Sequence, residues 1–310
     1  MRLATIDLGT NTVHLLVGET DGAHAWRPIH REQQVTRLGE GLWPAGALRE
    51  QPMARTAAAV AAFVDRARAL GASAIRIVAT SAMRDAANGH DFARALEART
   101  GVPVDIVSGE DEARLTVRGV LDALRSPGGT LMLFDIGGGS TEYTLARDGR
   151  VVASVSLRLG VVPLTERFPF PQAVDATRYA AMETEIRAQL DRELPPALGA
   201  TSIDHLVGTA GTVTALAALD LGLAAYDPDR VQGHRLTRAA IEAQRRRLSA
   251  MTVDERATLP CLERGRADLV VPGIAIVVAT MARFGVEGLI VSDAALREGM
   301  MADALDRLAR

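Results

Sequence analysis

Alternating apolar and polar segments divide the first half of the chain into strands and helices. Aliphatic and β-branched residues flank a turn in "LATIDLGTNTVHLLVGE", which predicts a strand, a tight turn and a second strand. Alanine, valine and arginine recur at helical spacing in "ALREQPMARTAAAVAAFVDRARALG", and this helix should end at Gly71. The pattern then predicts strands at "AIRIVAT" and "PVDIVS" and helices at "HDFARALEARTG" and "GEDEARLTVRGVLDALRS". Strands that alternate with helices indicate an α/β domain with a partly parallel sheet.

The second half repeats this organisation after a turn cluster, "SPGG", at residues 126–129. The segment "TLMLFDIGGGSTEYTLARDGRVVASVSL" has the pattern of strand, turn and strand, with a further hairpin at "RDGR". Beyond it the pattern predicts helices near 174–193 and 210–220, a strand at "IDHLVGTA", a buried helix at 269–282, a strand at "GLIVSD" and a final helix at 294–308. These elements complete a second α/β unit.

Two stretches of the chain resemble each other. "ATIDLGTNTVHLLV" and "MLFDIGGGSTEYTL" align Asp7 with Asp135 and Gly9 with Gly137, 128 residues apart. Two copies of one hairpin at this spacing indicate two related domains that face each other across a cleft, although two unrelated turn-rich hairpins would give the same local similarity. A length of 310 residues also favours two domains. We therefore expect an α/β fold with domains at 1–125 and 126–310, the final helix being able to pack back on the first.

Composition narrows the classes of function. The net charge of −3 gives no reason to expect a nucleic-acid partner. All 35 basic residues are arginines, so mechanisms that need a lysine, such as a Walker A loop or a Schiff base, are excluded. The longest apolar run, 269–282, is shorter than the ~20 residues of a membrane-spanning helix, and the N-terminus lacks a signal-peptide pattern. With a single cysteine, Cys261, the chain is expected to be cytoplasmic.

The glycine-rich turn of "FDIGGGSTEY" is the first candidate for chemistry. Three glycines in a row expose successive backbone amides, which bind anions such as phosphate, and neighbouring hydroxyls add donors. Acids on both sides would repel phosphate unless a divalent cation lies between them, and Mg²⁺ accepts one or two carboxylates with water and phosphate oxygens. A glycine-rich hairpin with solvated acids is the alternative. The residues are Asp135, Gly137, Gly138, Gly139, Ser140, Thr141 and Glu142.

A third turn, "VGTAGTVTAL" at 207–216, leads from a strand into a helix through Gly208, Gly211 and Thr212. The first amides of a helix can bind an anion. Many strand-to-helix turns share this composition, so the motif is weak by itself.

Together these motifs resemble the actin-like ATPase/sugar kinase superfamily, and within it the exopolyphosphatase/guanosine pentaphosphate phosphohydrolase (Ppx/GppA) family in its short, two-domain form. The similarity runs from "ATIDLGTNT" through "ATSAMRDAAN", "IVSGEDEARL", "FDIGGGSTE", "GTAGTVTA" and "VPG" to "VSDAALREG". Thr10, Thr12 and Ala294 are mild departures from the family pattern. The resemblance implies two actin-like (ribonuclease H-like) domains with mixed sheets.

The resemblance also implies roles for individual residues. Glu112 matches the catalytic base, whereas the residues alone do not distinguish Glu110, Asp111 and Glu112, and solvated acids at a helix N-terminus are the alternative for all three. Asp135 and Glu142 match the acids associated with Mg²⁺. The other matches are to phosphate: the glycine turn Gly137–Thr141, the third turn at Gly208, Gly211 and Thr212, the opposing loop with Asp7, Gly9 and Asn11, and the arginine Arg84.

The function implied is Mg²⁺-dependent hydrolysis of terminal phosphoanhydride bonds of polyphosphate by water that Glu112 activates. Hydrolysis of guanosine pentaphosphate (pppGpp) is the alternative within the family. A kinase of the same superfamily is a rival enzyme, and a catalytically silent sensor of polyphosphate or a guanosine alarmone is a rival of another class. A homodimer is compatible with the resemblance, and nothing in the residues decides it.

Overall fold

The computed structural model describes residues 1–21, 25–124, 128–199 and 201–308, and the chain forms two compact units. The first unit comprises Met1–Val120 and Ala295–Arg310, and the second comprises Leu121–Ala294. The predicted boundary between residues 125 and 126 lies outside the described residues. The final helix belongs to the first unit.

The strands of the described residues, in chain order, are β1 (Arg2–Leu8), β2 (Thr12–Thr20), β3 (Trp26–Val35), β4 (Ala74–Ala79), β5 (Val104–Ile106), β6 (Thr130–Ile136), β7 (Thr141–Arg147), β8 (Arg150–Leu157), β9 (His205–Thr209), β10 (Arg235–Thr237) and β11 (Gly288–Val291). The predicted strands are all present. The structure adds β3, whose polar sequence "WRPIHREQQV" lacks apolar alternation because it is an edge strand, and the short strand β10, "RLT".

The helices are α1 (Leu42–Ala45), α2 (Glu50–Ala69), α3 (Ser81–Asp85), α4 (Gly89–Thr100), α5 (Gly109–Ala123), α6 (Val161–Arg167), α7 (Ala176–Glu193), α8 (Pro196–Gly199), α9 (Ala210–Asp220), α10 (Pro228–Val231), α11 (Arg238–Ser249), α12 (Val253–Arg256), α13 (Val270–Phe284) and α14 (Leu296–Leu308), with a 3₁₀ turn at Arg264–Arg266. Gly71 follows α2 with φ +75°, as expected for a glycine that stops a helix. None of the helices in the described ranges combines the length and apolarity of a membrane-spanning segment.

The two units contain sheets of the same design. The first sheet has the order β3-β2-β1-β4-β5, and the second has β8-β7-β6-β9-β11 with β10 added at its edge. In the first sheet β2 is antiparallel to both β3 and β1, and β4 and β5 run parallel to β1. In the second sheet β7 is antiparallel to both β8 and β6, and β9 and β11 run parallel to β6. The fold class predicted from the sequence, α/β with two mixed sheets, is therefore confirmed, and the two similar hairpins occupy equivalent places in related sheets.

Helices cover both faces of the first sheet. On one face Ile6, Leu8 and their neighbours join the side chains of α2 and α4 in a large apolar core. On the other face Leu3 and Leu16 pack against Met301 of α14. This second face is the one on which Thr5 and Asp7 lie, because alternate residues of a strand share a face.

The helices α5 and α14 cross unusually closely on that second face. A Cβ added to Gly119 of α5 would lie 2.2 Å from the carbonyl oxygen of Ala295, and one added to Gly299 of α14 would lie 1.8 Å from that of Leu115. Only glycine permits such an approach. The crossing fixes α5, which has Glu112 in its first turn, against the first unit's sheet.

Candidate active site

The residues with predicted chemical roles lie at or beyond the carboxyl ends of parallel strands. In the first unit Asp7 is near the end of β1, Arg84 follows β4 and Glu112 follows β5. In the second unit Asp135 is near the end of β6 and Gly211 follows β9. Ligands of α/β sheets bind at this edge, where loops leave neighbouring parallel strands together. Each unit therefore brings its own set of predicted residues to the appropriate edge.

The turn between β1 and β2 is held from behind by a segment that follows β3. Within the turn, the Gly9 amide donates to the Thr12 carbonyl at 3.1 Å. The Asn11 carbonyl accepts from two amides of residues 36–39, at 3.0 and 2.9 Å, and the Thr10 carbonyl accepts from a third at 2.8 Å. A Cβ on Gly9 would lie only 2.9 Å from the Thr12 oxygen, so the turn requires glycine there.

The glycine turn between β6 and β7 is built in the same way. The Gly137 amide donates to the Ser140 carbonyl at 2.9 Å, which is the counterpart of the bond from Gly9. Here the supporting segment is the start of α6, after β8. The amides of Val161 and Val162 donate to the carbonyls of Gly137 and Gly138 at 3.2 and 2.8 Å.

This support sets the direction of the glycine amides. In a trans peptide the carbonyl of one residue and the N–H of the next point in opposite directions. Because the carbonyls of Gly137 and Gly138 point to α6, the N–H groups of Gly138 and Gly139 point away from it. Gly160, before α6, permits the contact: its Cβ would lie 2.3 Å from the carbonyl carbon of Gly139. The turn can thus present two successive amides to an anion.

The two hydroxyl residues of this turn have different surroundings. Ser140 is 4% exposed and ends the turn. The Thr141 hydroxyl is buried and donates to the carbonyl oxygen of Leu159. This hydrogen bond joins the turn to the segment before α6. It accounts for a threonine at position 141 without a bound phosphate.

The acids Asp135 and Glu142 are direct partners in the register of β6 and β7, so their side chains share one face of the sheet. Glu142 is 4% exposed, and its Oε1 accepts a hydrogen bond from the Ser156 hydroxyl at 2.6 Å. Like charges directly opposite each other destabilise a sheet. The pair has the ligand chemistry of the predicted cation site.

The equivalent pair of the first sheet is Asp7 and His14, partners in the register of β1 and β2. Burial raises the pKa of Asp7 from 3.8 to about 7, the positive charge of Arg297 opposes this shift, and the negative charge of Glu298 adds to it. The Oδ1 atom of Asp7 is buried and accepts no hydrogen bond from the described residues. His14 is half-buried.

The structure separates the three acids at the start of α5. Glu110 and Asp111 are exposed, and Asp111 accepts from the Ser108 hydroxyl at 3.0 Å. The Glu112 side chain is only 12% exposed, and its Oε2 lies 3.0 Å from Nη1 of Arg84. The predicted base and the predicted phosphate-binding arginine therefore form one ion pair, which sequence reasoning had not foreseen.

Gly208, in the third motif, has a packing explanation. It lies inside β9, and a Cβ there would come within 2.7 Å of the Phe134 ring and 3.1 Å of Val213. The absence of a side chain makes room for the ring of the neighbouring strand. No phosphate is needed to explain this glycine.

The turn into α9 combines strain with a nearby cation. Ala210 has φ +69°, a left-handed conformation that residues with a Cβ rarely adopt and that often marks a functional site. A Cβ on Gly211 would lie 2.5 Å from Nη1 of Arg266, so this guanidinium rests on the first turn of α9. Thr212 packs against Gly273 at the start of α13. Sequence reasoning missed Arg266 because every basic residue of the chain is arginine and none stands out.

Comparisons with known proteins agree with this architecture. A model of the Ppx/GppA phosphatase family matches residues 16–308. Exopolyphosphatase 2 of Mycobacterium tuberculosis is 35% identical over 316 aligned residues, which cover 96% of this chain and 97% of that protein. Exopolyphosphatase 1 of the same species is 30% identical over 306 residues, 99% of this chain and 89% of that protein.

Solved structures show the same relationship. The crystal structure of the Aquifex aeolicus member of the Ppx/GppA family matches with a TM-score of 0.83 and 28% identity, covering 99% of this chain and 98% of that chain. The match extends over both units. The actin-like, two-domain class of fold expected from the sequence is thereby confirmed.

Proposed function

We propose that this chain, which belongs to the Ppx/GppA phosphatase family, is an exopolyphosphatase that removes the terminal phosphate of inorganic polyphosphate as orthophosphate. The observation that supports it most directly is the glycine turn at Gly137–Ser140, whose amides are turned outward by α6 beside the paired acids Asp135 and Glu142. Such a site suits a phosphoanhydride chain and a cation. The Mycobacterium relatives are named exopolyphosphatases, which favours polyphosphate as the substrate.

Glu112 acts as the general base in this proposal. It accepts a proton from the attacking water, which then adds in line to the terminal phosphorus while the bond to the bridging oxygen breaks. Arg84 holds the carboxylate in place before the substrate arrives. Its guanidinium, which also donates to the Val107 carbonyl at 2.9 Å, can share its charge with a phosphate oxygen.

The backbone amides supply the electrostatic part. The amides of Gly138 and Gly139 bind non-bridging oxygens, and the first turn of α9, with Gly211 and Thr212, offers another anion-binding helix terminus. The turn with Gly9 and Asn11 serves phosphate from the first unit. Groups fixed by hydrogen bonds and close glycine contacts do not have to reorganise as charge develops, which is why they lower the barrier.

Mg²⁺ fits the donor set of Asp135 and Glu142. Among the described residues no group of three or more His, Cys, Asp or Glu side chains could hold a metal ion. Two carboxylates with water and phosphate oxygens are, however, the usual surroundings of Mg²⁺ in phosphoryl-transfer sites. When bound, the ion neutralises charge on the phosphoryl oxygens. Ser156 orients Glu142 for this purpose through its hydrogen bond at 2.6 Å.

Guanosine pentaphosphate is the second candidate substrate. The resemblance to the Ppx/GppA family implies this activity as the alternative, and the bond to be broken is the same phosphoanhydride. A catalytically silent sensor is disfavoured by the half-buried, ion-paired Glu112, because a binding protein has no use for a positioned base.

The test is release of orthophosphate from long-chain polyphosphate, with and without Mg²⁺. Wild type should release phosphate only with the ion, and Glu112→Gln should lose about 10²–10⁴-fold in rate, the usual contribution of a general base. Glu110→Gln, two residues away and exposed, is the matched control and should keep the wild-type rate. Release from pppGpp at equal phosphate concentration ranks the two substrates. No release from either by wild type would refute the proposal.

A further inference from the structure

The polar end of the second face of the first sheet contains a half-buried acid, Asp7, whose Oδ1 atom is buried and whose surroundings differ from those of its counterpart. Asp135 faces another carboxylate, Glu142, across its hairpin, whereas Asp7 faces the imidazole of His14. A carboxylate next to a phosphate must be neutralised, either by a cation or by a proton. The second hairpin, with two acids, suits a cation. The first hairpin has one acid and suits a proton.

The final helix completes the surroundings of Asp7. The Thr5 hydroxyl, two residues before Asp7 on the same face, donates to the Arg297 carbonyl at 3.3 Å, which places the first turn of α14 beside this part of β1. Glu298, 6% exposed, lies in that turn. Its Oε2 accepts from the Ala295 amide at 2.9 Å, so the carboxylate caps its own helix.

Glu298 lies near two guanidinium groups. Its Oε1 lies 3.6 Å from Nη2 of Arg297 and 4.0 Å from Nη2 of Arg31 on β3. On the remaining elements packed here, β4 and α5 contribute the apolar Val78 and Leu115. Arg76, next to Thr5 on the same face, is paired with Asp303 of α14 at 2.7 Å. The acid of α5 that lies one turn away, Glu112, is ion-paired with Arg84. His14 on β2 is the other titratable group that faces Asp7.

We propose that Asp7 works as a neutral carboxylic acid that donates a hydrogen bond to a phosphate oxygen of the substrate, and that Glu298 is the positioning residue that keeps this proton on Asp7. Glu298 does so by adding a second negative charge next to Asp7 and by sharing the charge of the Arg297 guanidinium. The Oδ1 atom of Asp7 is buried and accepts no hydrogen bond from the described residues, so nothing at this atom stabilises the ionised form.

This inference rests on the proposed function for its ligand, a phosphate, but the proton itself can be observed without turnover. Burial raises the pKa of Asp7 to about 7, so the donor form is lost as the pH rises through neutrality. Between about pH 6 and about pH 8 the protonated fraction falls about tenfold, and the affinity for phosphate should fall by the same factor. Asn at position 7 keeps a donor at every pH.

The first measurement is an infrared titration of the protonated carboxyl band in the ligand-free, full-length protein. Wild type should show a band that titrates near neutral pH and that is missing in Asp7→Asn. In Glu298→Gln the titration should move to lower pH, because a negative neighbour is removed and Arg297 no longer shares its charge with it. Asp306→Asn, a surface acid of α14 paired with Arg118, is the control and should leave the titration unchanged.

The second measurement is the affinity for inorganic tripolyphosphate by calorimetry with EDTA present, so that no turnover occurs. From about pH 8 to about pH 6 the affinity of wild type should rise about tenfold more than that of Asp7→Asn. Asp7→Asn should bind at both pH values. Survival of the titration in Asp7→Asn, no downward movement in Glu298→Gln, or loss of tripolyphosphate binding in Asp7→Asn at both pH values would overturn the inference. If these results hold and wild type still releases no orthophosphate, only the proposed function fails.

Discussion

Nη1 of Arg84 lies 3.0 Å from Oε2 of Glu112 and 2.9 Å from the carbonyl oxygen of Val107. One guanidinium therefore ties the first turn of α5 to the end of the strand before it. In the proposed mechanism a phosphate that binds Arg84 competes with Glu112 for the same donors. The ion pair then links binding of the substrate to the freedom of the proposed base, and substitutions of Arg84 should affect both.

Arg84→Gln should lower kcat/KM for polyphosphate by about 10²–10³-fold, because a charge-assisted contact to phosphate and the position of the base are lost together. Both kcat and KM should change. In the Glu112→Gln background the same substitution should cost much less, since residues that act as a unit are not additive. Steady-state orthophosphate release measures this. Arg94→Gln, an exposed arginine of α4, is the control, and equal costs in both backgrounds would contradict the coupling.

Asp135→Asn and Glu142→Gln should each raise the Mg²⁺ concentration needed for half-maximal activity. Outer-shell substitutions lower the metal affinity of a site by about 10–100-fold. Loss of one of the two proposed carboxylate ligands should cost at least as much. Ser156→Ala, which removes the hydrogen bond to Glu142, should fall within that range. The readout is orthophosphate release against Mg²⁺ concentration. Asp148→Asn is the matched control, because it removes an exposed acid from the same sheet at φ +48°, which Asn tolerates. An unchanged Mg²⁺ dependence in all variants would place the ion elsewhere.

Gly160→Ala should lower activity although it removes no polar group. The new Cβ would stand 2.4 Å from the Gly138 carbonyl oxygen, so the glycine turn has to move away from α6 and its amides lose their direction. A misplacement on the order of 1 Å costs about 10²-fold in rate. Gly128→Ala is the control, since nothing lies within 4 Å of its Cβ. Equal kcat/KM in both variants would show that the turn does not bind the substrate.

The two hairpins could be predicted because their signals are local. Apolar alternation on both sides of Gly9 and of Gly137 specifies strand, turn and strand within about 15 residues, and the similarity between the copies adds the second domain. The strand β3 could not be found, since an edge strand exposed to water needs no apolar face.

The supports of the site were not predictable, because they come from distant parts of the chain. The sequence around Asp7 does not indicate that Glu298 lies beside it. The need for glycine at position 160 follows only from its contact with the glycine turn. The proposed base is an intermediate case. The residues alone left Glu110, Asp111 and Glu112 equivalent, the resemblance to the family implied Glu112, and the structure distinguishes Glu112 from the other two by its ion pair with Arg84.

Stability should depend on pH through Asp7. The folded chain keeps the proton up to about pH 7, whereas the unfolded chain releases it near the usual 3.8. The contribution to the free energy of unfolding is therefore fully present below the unfolded value and is lost as the pH rises through the folded value. Asp7→Asn does not ionise, so its stability relative to wild type should increase between about pH 4 and about pH 8. Urea unfolding measures this. Asp65→Asn, with its side chain 80% exposed, should show no such trend, and a wild-type-like profile in Asp7→Asn would contradict the assignment.

Arg256 should be the most costly arginine to replace in the second unit. It is 0% exposed, and its guanidinium donates to the carbonyls of Leu248, Phe170 and Met251 at 2.8, 3.1 and 2.8 Å. Arg256→Met keeps much of the volume but leaves three acceptors without their donor, and each buried unsatisfied group costs about 1–3 kcal/mol. We expect a loss of at least about 3 kcal/mol in the free energy of unfolding.

The same site distinguishes geometry from charge. Arg256→Lys keeps the charge, but its single ammonium cannot span three carbonyls that a planar fork reaches, so it should recover only part of the loss. Arg246→Met, on the exposed side of α11, should change stability by less than about 0.5 kcal/mol. Urea midpoints of the three variants decide the matter. Full recovery by lysine would mean that charge alone matters at this position, and a loss in Arg246→Met as large as that in Arg256→Met would mean that the three carbonyl contacts contribute nothing particular.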